Sequence, residues 1–105
     1  MKILILDNYT PRHNAHQSFS KQFLNIEFII LEKMSLEELN KEKYNLYIIH
    51  KGNHQEYNYI YSNKLGGVRI FFSGGERNPI RTDHCIFTDT VSLYKELEDA
   101  IASNS

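Results

Sequence analysis

Short apolar runs alternate along the chain with stretches in which hydrophobic residues recur at helical spacing. The first run, Ile3 to Leu6, is continuous and ends at Asp7 and Asn8. Such a run is typical of a strand that is buried on both faces of a parallel sheet. Similar runs, rich in β-branched and aromatic residues, predict four more strands at residues 25–31, 46–50, 68–72 and 85–87.

The segments between these runs predict helices. Thr10 and Pro11 suit a helix start, and Ala15, Phe19 and Phe23 follow at four-residue spacing. A helix is also favoured around residues 57–65, although its tyrosines alternate as a strand would. A final helix, capped by Asp89 or Thr90, has its apolar face at residues 93, 97 and 101.

The clearest local signal is a capping box at Ser35 and Glu38. The Ser35 hydroxyl can accept from the Glu38 amide, and Met34 and Leu39 are placed to form the accompanying hydrophobic staple. We therefore expect a short helix from this point to about Lys43.

Strand and helix alternate throughout, which implies a parallel sheet with right-handed crossovers and helices on both faces. One connection is short: the eleven residues from Gly74 to His84 contain Asn78 and Pro79 and no apolar helical stripe. A loop or a single helical turn is expected there. The predicted fold is a three-layer α/β/α sandwich of flavodoxin-like type, one domain over residues 1–105. It has five parallel strands in the order 2-1-3-4-5 and a fourth helix that is short or absent.

Composition and charge narrow the function classes. Of 105 residues, 12 are basic and 13 acidic, so the net charge of -1 argues against a general nucleic-acid binder. The longest apolar runs have about four residues, far short of the roughly 20 needed to span a bilayer. The N-terminus lacks the pattern of a secretory signal, and the single Cys85 cannot form an internal disulfide. We therefore expect a cytoplasmic protein without a membrane span.

Polar residues follow the carboxyl ends of the predicted strands, where open parallel sheets bind ligands. The candidate ligand-binding residues are Asp7, Asn8, His50, Ser73, Gly74 and Gly75. Polar residues at strand ends are also what any strand shows as it reaches water, and that interpretation stays open.

The run through Asp7 and Asn8, the run from Asn45 to His50 and the run from Val68 to Ser73 together resemble the receiver domain of response regulators, over nearly the whole chain. The resemblance implies two acidic residues after the first strand that help to bind Mg²⁺. It also implies a phosphorylated Asp after the third strand, a hydroxyl after the fourth and a Lys after the fifth.

This sequence departs from that pattern at three positions. Asp7 and Ser73 match, but Asn8 replaces the second acidic residue, His50 stands at the phosphoacceptor position, and no Lys occurs between Cys85 and Val91. Mg²⁺ prefers carboxylate oxygens, so weak binding at Asp7 is the most we expect, and no other cofactor. Ordinary Asp phosphorylation is excluded, which implies a degenerate receiver, or pseudo-receiver.

Other residues carry alternatives that the sequence leaves open. His50 is either a base or phosphorylatable imidazole at a strand end, or a plain surface histidine. His13 and His16 are either metal ligands or solvated helix residues. Cys85 is expected to pack as an apolar residue with no catalytic role. Five tyrosines near the third strand suggest a partner surface, although some of them must cover the core; they are Tyr44, Tyr47, Tyr57, Tyr59 and Tyr61.

Three functions are compatible with these features. The leading hypothesis is a non-catalytic pseudo-receiver that signals through contact with a protein partner or a second copy of itself. The alternatives are an α/β domain that binds a small molecule or anion at the strand ends, and a small hydrolase or phosphotransfer enzyme that uses Asp7 and His50.

Overall fold

The computed structural model describes residues 1–63, 67–74, 79–82 and 84–104, which form an α/β domain with six strands in one mostly parallel sheet. The strands are β1 (Lys2–Leu6), β2 (Glu27–Leu31), β3 (Leu46–His50), β4 (Val68–Ser73), β5 (Ile80–Arg81) and β6 (Cys85–Asp89). The helices within the described residues are α1 (His13–Ser20), α2 (Leu36–Lys41), α3 (His54–Asn63) and α4 (Leu93–Ser103).

The strand order is β2-β1-β3-β4-β6-β5, so the predicted count of five and the predicted order 2-1-3-4-5 are wrong. The difference lies at one edge, where β5 pairs antiparallel with β6 through Ile80 with Phe87 and Arg81 with Ile86. β5 therefore runs opposite to the other five strands. A strand of two residues is too short to produce an alternating hydrophobic pattern, so no sequence signal marks it.

The helices cover both faces of the sheet, as a three-layer arrangement requires. On one face Phe19 of α1 and Leu97 of α4 pack in a single apolar cluster with strand residues. On the other face Leu39 of α2 and Ile60 of α3 pack in a second cluster. Most residues of the central strands β1, β3 and β4 are fully buried, which explains the continuous apolar runs in their sequences.

The Ser35 half of the capping box is confirmed, because the Ser35 hydroxyl accepts from the Glu38 amide at 3.2 Å. The helix around residues 57–65 is confirmed for its described part, α3. Two predicted starts are wrong. A 3₁₀ turn over Thr10–Arg12 precedes α1, and α4 begins at Leu93. The Asp89 carboxylate accepts instead from the Ser92 amide, 2.7 Å away, just before α4.

The predicted short or missing fourth helix concerns the connection between β4 and β6. Its described residues 79–82 contain β5 and no helix, and residues 75–78 and 83 lie outside the described part of the chain. Among the described residues, no helix has the length and apolar composition needed to cross a bilayer.

Two of the five tyrosines cover the core, as the sequence interpretation allows for some of them. Tyr44 is 6% exposed and Tyr47 is fully buried, because alternation along β3 turns Tyr47 into the cluster under α2 and α3. Cys85 is buried in the same cluster, as predicted for an apolar role. Tyr61 is half exposed and stacks on Tyr57.

Candidate functional site

The polar strand ends meet on the face of the sheet that α1 and α4 cover. The register pairs His50 with Phe72 and Phe72 with Thr88, and Asp7 continues β1 beside His50. Alternation places all four on the same face as Ile5 and the rest of the α1 and α4 cluster. One cross-strand row therefore carries an acid, an imidazole, an aromatic ring and a hydroxyl.

Asp7 is the centre of this row and has no exposed surface. Each carboxylate oxygen accepts two hydrogen bonds: Oδ1 from the Tyr9 amide and Arg12 Nη2, both at 3.0 Å, and Oδ2 from Arg12 Nε at 2.7 Å and His16 Nε2 at 2.9 Å. Burial would raise the pKa of this carboxyl, but the hydrogen bonds from His16 and Arg12 lower it well below its usual value. Asp7 is therefore a fully engaged, ionised carboxylate.

His16 connects Asp7 to the last helix. Its Nε2 donates to Asp7, which leaves Nδ1 as the acceptor for the Tyr94 hydroxyl, 2.8 Å away. His13 donates from Nε2 to the Asp7 backbone oxygen at 2.8 Å. The interpretation of His16 as a solvated helix residue is wrong, because the turn before α1 rotates this residue onto the sheet and buries it completely.

His50 is held by Asn8. Its Nδ1 donates to Asn8 Oδ1 at 2.6 Å, and Asp7 Oδ1 lies 3.7 Å from the same nitrogen. Burial lowers the pKa of His50, opposed by the Asp7 charge. The side chain keeps only 17% of its surface exposed, so His50 is not the plain surface histidine of the sequence alternative.

Gly52 makes the contact between His50 and Asn8 possible. A Cβ at residue 52 would lie 2.7 Å from two atoms of the His50 ring and 2.8 Å from Asn8 Oδ1. These distances are shorter than any ordinary packing contact. A side chain at residue 52 would therefore force the imidazole or the amide to move.

A second polar network fixes the loops behind this pair. Asn53 Oδ1 accepts from the Asn8 amide at 2.8 Å, while Asn53 Nδ2 donates to the Glu32 carbonyl and to Glu56 Oε2. Glu56 Oε2 also accepts from the Met34 amide at 3.1 Å. The ends of β1, β2 and β3 are thus tied together through buried Asn53 and Glu56.

The structure brings together Asp7, Asn8 and His50, but it leaves the other predicted site residues apart from them. Ser73 follows Phe72 in β4, and alternation places it on the opposite face of the sheet. Gly74 borders open space, since a Cβ at this residue would have no neighbouring atom within 4 Å. Gly75 lies outside the described residues.

The sequence interpretation missed Arg12, Asn53, Glu56 and Tyr94, and it considered His16 only as a metal ligand or a solvated residue. Arg12 lies five residues after Asp7, and the two side chains meet only because the chain turns sharply at Tyr9. His16 and Tyr94 are 78 residues apart, a distance that local patterns do not bridge. The start of α3 offered a signal for Asn53, since asparagine is common before a helix.

No metal site is assembled in the described part of the chain, where no group of three histidine, cysteine, aspartate or glutamate side chains is placed to hold an ion. The carboxylate expected to bind Mg²⁺ weakly, Asp7, already has four donors. A cation would have to displace Arg12 or His16 to reach it.

A separate cleft of about 240 Å³ lies between β6 and α4, away from the strand ends. Arg81 and Glu96 line it and pair with each other, 2.8 Å apart at Nη2 and Oε1. Glu96 is almost fully buried, so this pair joins the hairpin strand β5 to the last helix.

Comparison of the chain with protein-family models, with curated proteins and with solved structures found no match.

Proposed function

We propose that this domain is a receiver-like signalling module that acts through protein contacts and uses neither Mg²⁺ nor an aspartyl phosphate. The observation that carries the proposal is the bidentate ion pair between the Arg12 guanidinium and the Asp7 carboxylate. In the receiver resemblance Asp7 is the acid that helps to hold Mg²⁺. Here a cation of the chain itself neutralises that acid.

The chemistry of Mg²⁺ supports this proposal. The ion requires near-octahedral oxygen ligands and gives up its water reluctantly. Asp7 presents no carboxylate edge that lacks a donor, and its neighbours Asn8 and His50 bring an amide and an imidazole in place of two further carboxylates. Binding of Mg²⁺ would break the ion pair between Arg12 and Asp7 and leave the guanidinium without its partner.

The architecture supports the receiver-like, flavodoxin-like fold within this proposal. Parallel strands with helices on both faces place the Asp7 cluster at the carboxyl edge, where this class of sheet has its sites. The connection between β4 and β6 departs from a helical crossover, because β5 occupies part of it. A face that differs in this way would select a different partner.

The exposed face of α3 supports a protein partner. Its only charged residue, Glu56, is buried, and its exposed residues are uncharged or histidine: His54, Gln55, Asn58, Tyr61, Ser62 and Asn63. Interfaces between proteins are depleted of charge at their centre and enriched in tyrosine. The face of α2, by contrast, carries an exposed ion pair between Glu37 and Lys41.

The Mg²⁺ part of the proposal is tested by an amide NMR titration of the domain with MgCl₂. We expect no saturable shift at Asp7, Asn8 or His50, because the carboxylate is engaged. The variant Arg12→Ala is the matched control, since it exposes the carboxylate and should gain a Mg²⁺ response. Saturable binding by the unmodified domain at millimolar Mg²⁺ would contradict the proposal.

The interaction part is tested with a photo-crosslinking amino acid placed at residue 61 in α3. The control position is Lys95, which is exposed on α4. We expect a crosslinked protein species from residue 61 only, and its mass separates a second copy of the chain from another protein. Equal crosslinking at both positions, or none at either, would count against a specific partner face on α3.

A further inference from the structure

The two ring nitrogens of His50 have different environments. Nδ1 donates to Asn8 Oδ1 at 2.6 Å, and an imidazole that donates from one nitrogen keeps a lone pair on the other. Among the described residues, no group forms a hydrogen bond with Nε2 of His50. The side chain keeps 17% of its surface exposed, so part of the ring is open to solvent.

The surroundings favour a neutral, oriented ring. Burial lowers the pKa of His50, so the lone pair is present near neutral pH without a separate base. The bond to Asn8 fixes the orientation of the ring, and the space beside the ring at Gly52 is too small for even a methyl group. Positioned nucleophiles of this kind react faster than free ones because less rotational freedom is lost.

The charges around the ring match a reaction at Nε2. Attack by a neutral imidazole makes the ring cationic, and both Asn8 Oδ1 and the Asp7 carboxylate face Nδ1, where that charge spreads. Arg12 lies over the Phe72 ring, which also contacts His50. The Arg12 charge also lowers the pKa of His50, so a guanidinium lies within electrostatic reach of the ring and of an incoming phosphoryl anion.

We infer that His50 Nε2 accepts a phosphoryl group from a small acyl phosphate, a mixed anhydride of a carboxylic acid and phosphoric acid. The Nε2 lone pair forms a bond to phosphorus while the bond from phosphorus to the acyl oxygen breaks. The carboxylate leaves with that electron pair, and Nδ1 keeps its proton. The product is a phosphoimidazolium whose Nδ1–H still donates to Asn8 and whose charge faces Asp7.

This inference goes beyond the proposed function and does not depend on it. It requires neither Mg²⁺ nor an aspartyl phosphate, and it gives the receiver-like module a modification site on its own imidazole. The donor contributes the phosphoryl group and the free energy of the anhydride. The chain contributes the nucleophile, its orientation and the groups that face the charge.

The experiment treats the whole domain with acetyl phosphate at pH 7.5 in the presence of EDTA. Phosphorus NMR distinguishes the two phosphohistidine isomers, and peptide mass spectrometry under alkaline conditions locates the residue. We expect one phosphoryl group at Nε2 of His50, formed at least about tenfold faster than at His54 or His84. Those two exposed histidines serve as internal controls for adventitious labelling.

Two variants test the role of the ring and of its orientation. His50→Gln should lose the rapid labelling. Asn8→Ala keeps the imidazole but frees Nδ1, so we expect slower labelling and a mixture of the two isomers. Nitrogen NMR of the unmodified domain provides a check that needs no variant, because it should show the Nδ1–H form of His50.

Equal labelling of His50, His54 and His84 would overturn the inference, as would labelling at Nδ1 or none at all. These outcomes are independent of the Mg²⁺ titration, since the reaction is run in EDTA. A domain that binds Mg²⁺ and also labels at His50 would refute the proposed function alone. A domain that does neither would refute this inference alone.

Discussion

The Arg12 guanidinium and the Asp7 carboxylate meet through two parallel hydrogen bonds, Nε to Oδ2 at 2.7 Å and Nη2 to Oδ1 at 3.0 Å. The carboxylate is completely buried, while a quarter of the Arg12 side chain is exposed. A planar fork of this kind matches a carboxylate in a way that the single charge of lysine does not. Arg12 thus neutralises the carboxylate that follows β1.

Loss of this fork should be costly. We expect Arg12→Ala to lower the free energy of unfolding by about 2 to 3 kcal/mol, because a buried charge keeps only the donors from Tyr9 and His16. Arg12→Lys should recover only part of the loss. Urea unfolding followed by circular dichroism measures both variants.

The control for Arg12 is Lys41→Ala, since Lys41 pairs with Glu37 on the exposed face of α2. Exposed pairs contribute little to stability, so this variant should unfold at nearly the same urea concentration as the unmodified domain. If both substitutions cost the same, the stabilisation does not come from the buried geometry at Asp7.

The hydroxyl of Tyr94 should matter through His16. Tyr94→Phe keeps the ring stacked on Phe19 but removes the proton that His16 Nδ1 accepts. We expect a loss of about 1 kcal/mol, the usual cost of leaving a buried acceptor unpaired. Tyr61→Phe, in which the ring is half exposed, is the matched control and should leave thermal unfolding unchanged. An equal effect of both substitutions would argue against the His16 contact.

Two glycines offer a direct comparison of packing. Gly52→Ala places a methyl group 2.7 Å from the His50 ring, so the ring must move and its bond to Asn8 should break. We expect a loss of about 1 to 3 kcal/mol and a changed nitrogen NMR signal of His50. Gly74→Ala meets open space and should change neither quantity. An unchanged His50 signal in Gly52→Ala would show that the contact is not restrictive.

Local chemistry explains which parts of the fold could be predicted. The capping box at Ser35 acts within four residues, so its hydrogen bond follows from the sequence alone. Burial between two helical layers requires continuous apolar runs such as Ile3 to Leu6. The parallel strands can therefore be recognised in the sequence. The hairpin strand β5 has two exposed residues and no such requirement.

The candidate site was predictable where strand ends determine it and not where distant residues complete it. Asp7 and His50 come together because parallel strands share one carboxyl edge. Arg12 and His16 depend on the turn that precedes α1, and Tyr94 depends on how α4 packs across the sheet. Ser73 shares the edge but, one residue beyond Phe72, falls on the opposite face of the sheet.

The last prediction concerns acid. Because its hydrogen bonds lower the pKa of Asp7 below the ordinary value of 3.8, the unfolded chain takes up a proton before the folded domain does. The contribution of Asp7 to stability is therefore complete above about pH 5 and declines as the pH falls below 4. Asp7→Asn removes this titration and should lower the free energy of unfolding at pH 7 by about 2 to 4 kcal/mol.

The measurement compares urea unfolding of the unmodified domain and Asp7→Asn at pH 7 and at pH 3. The stability difference between the two proteins should be larger at pH 7, since the unmodified domain loses stability in acid that the variant does not have. Glu37→Gln, which removes an exposed carboxylate of α2, controls for general effects of charge and should show no such change. A difference that is the same at both pH values would mean that Asp7 stabilises the domain by packing and not as an ionised group.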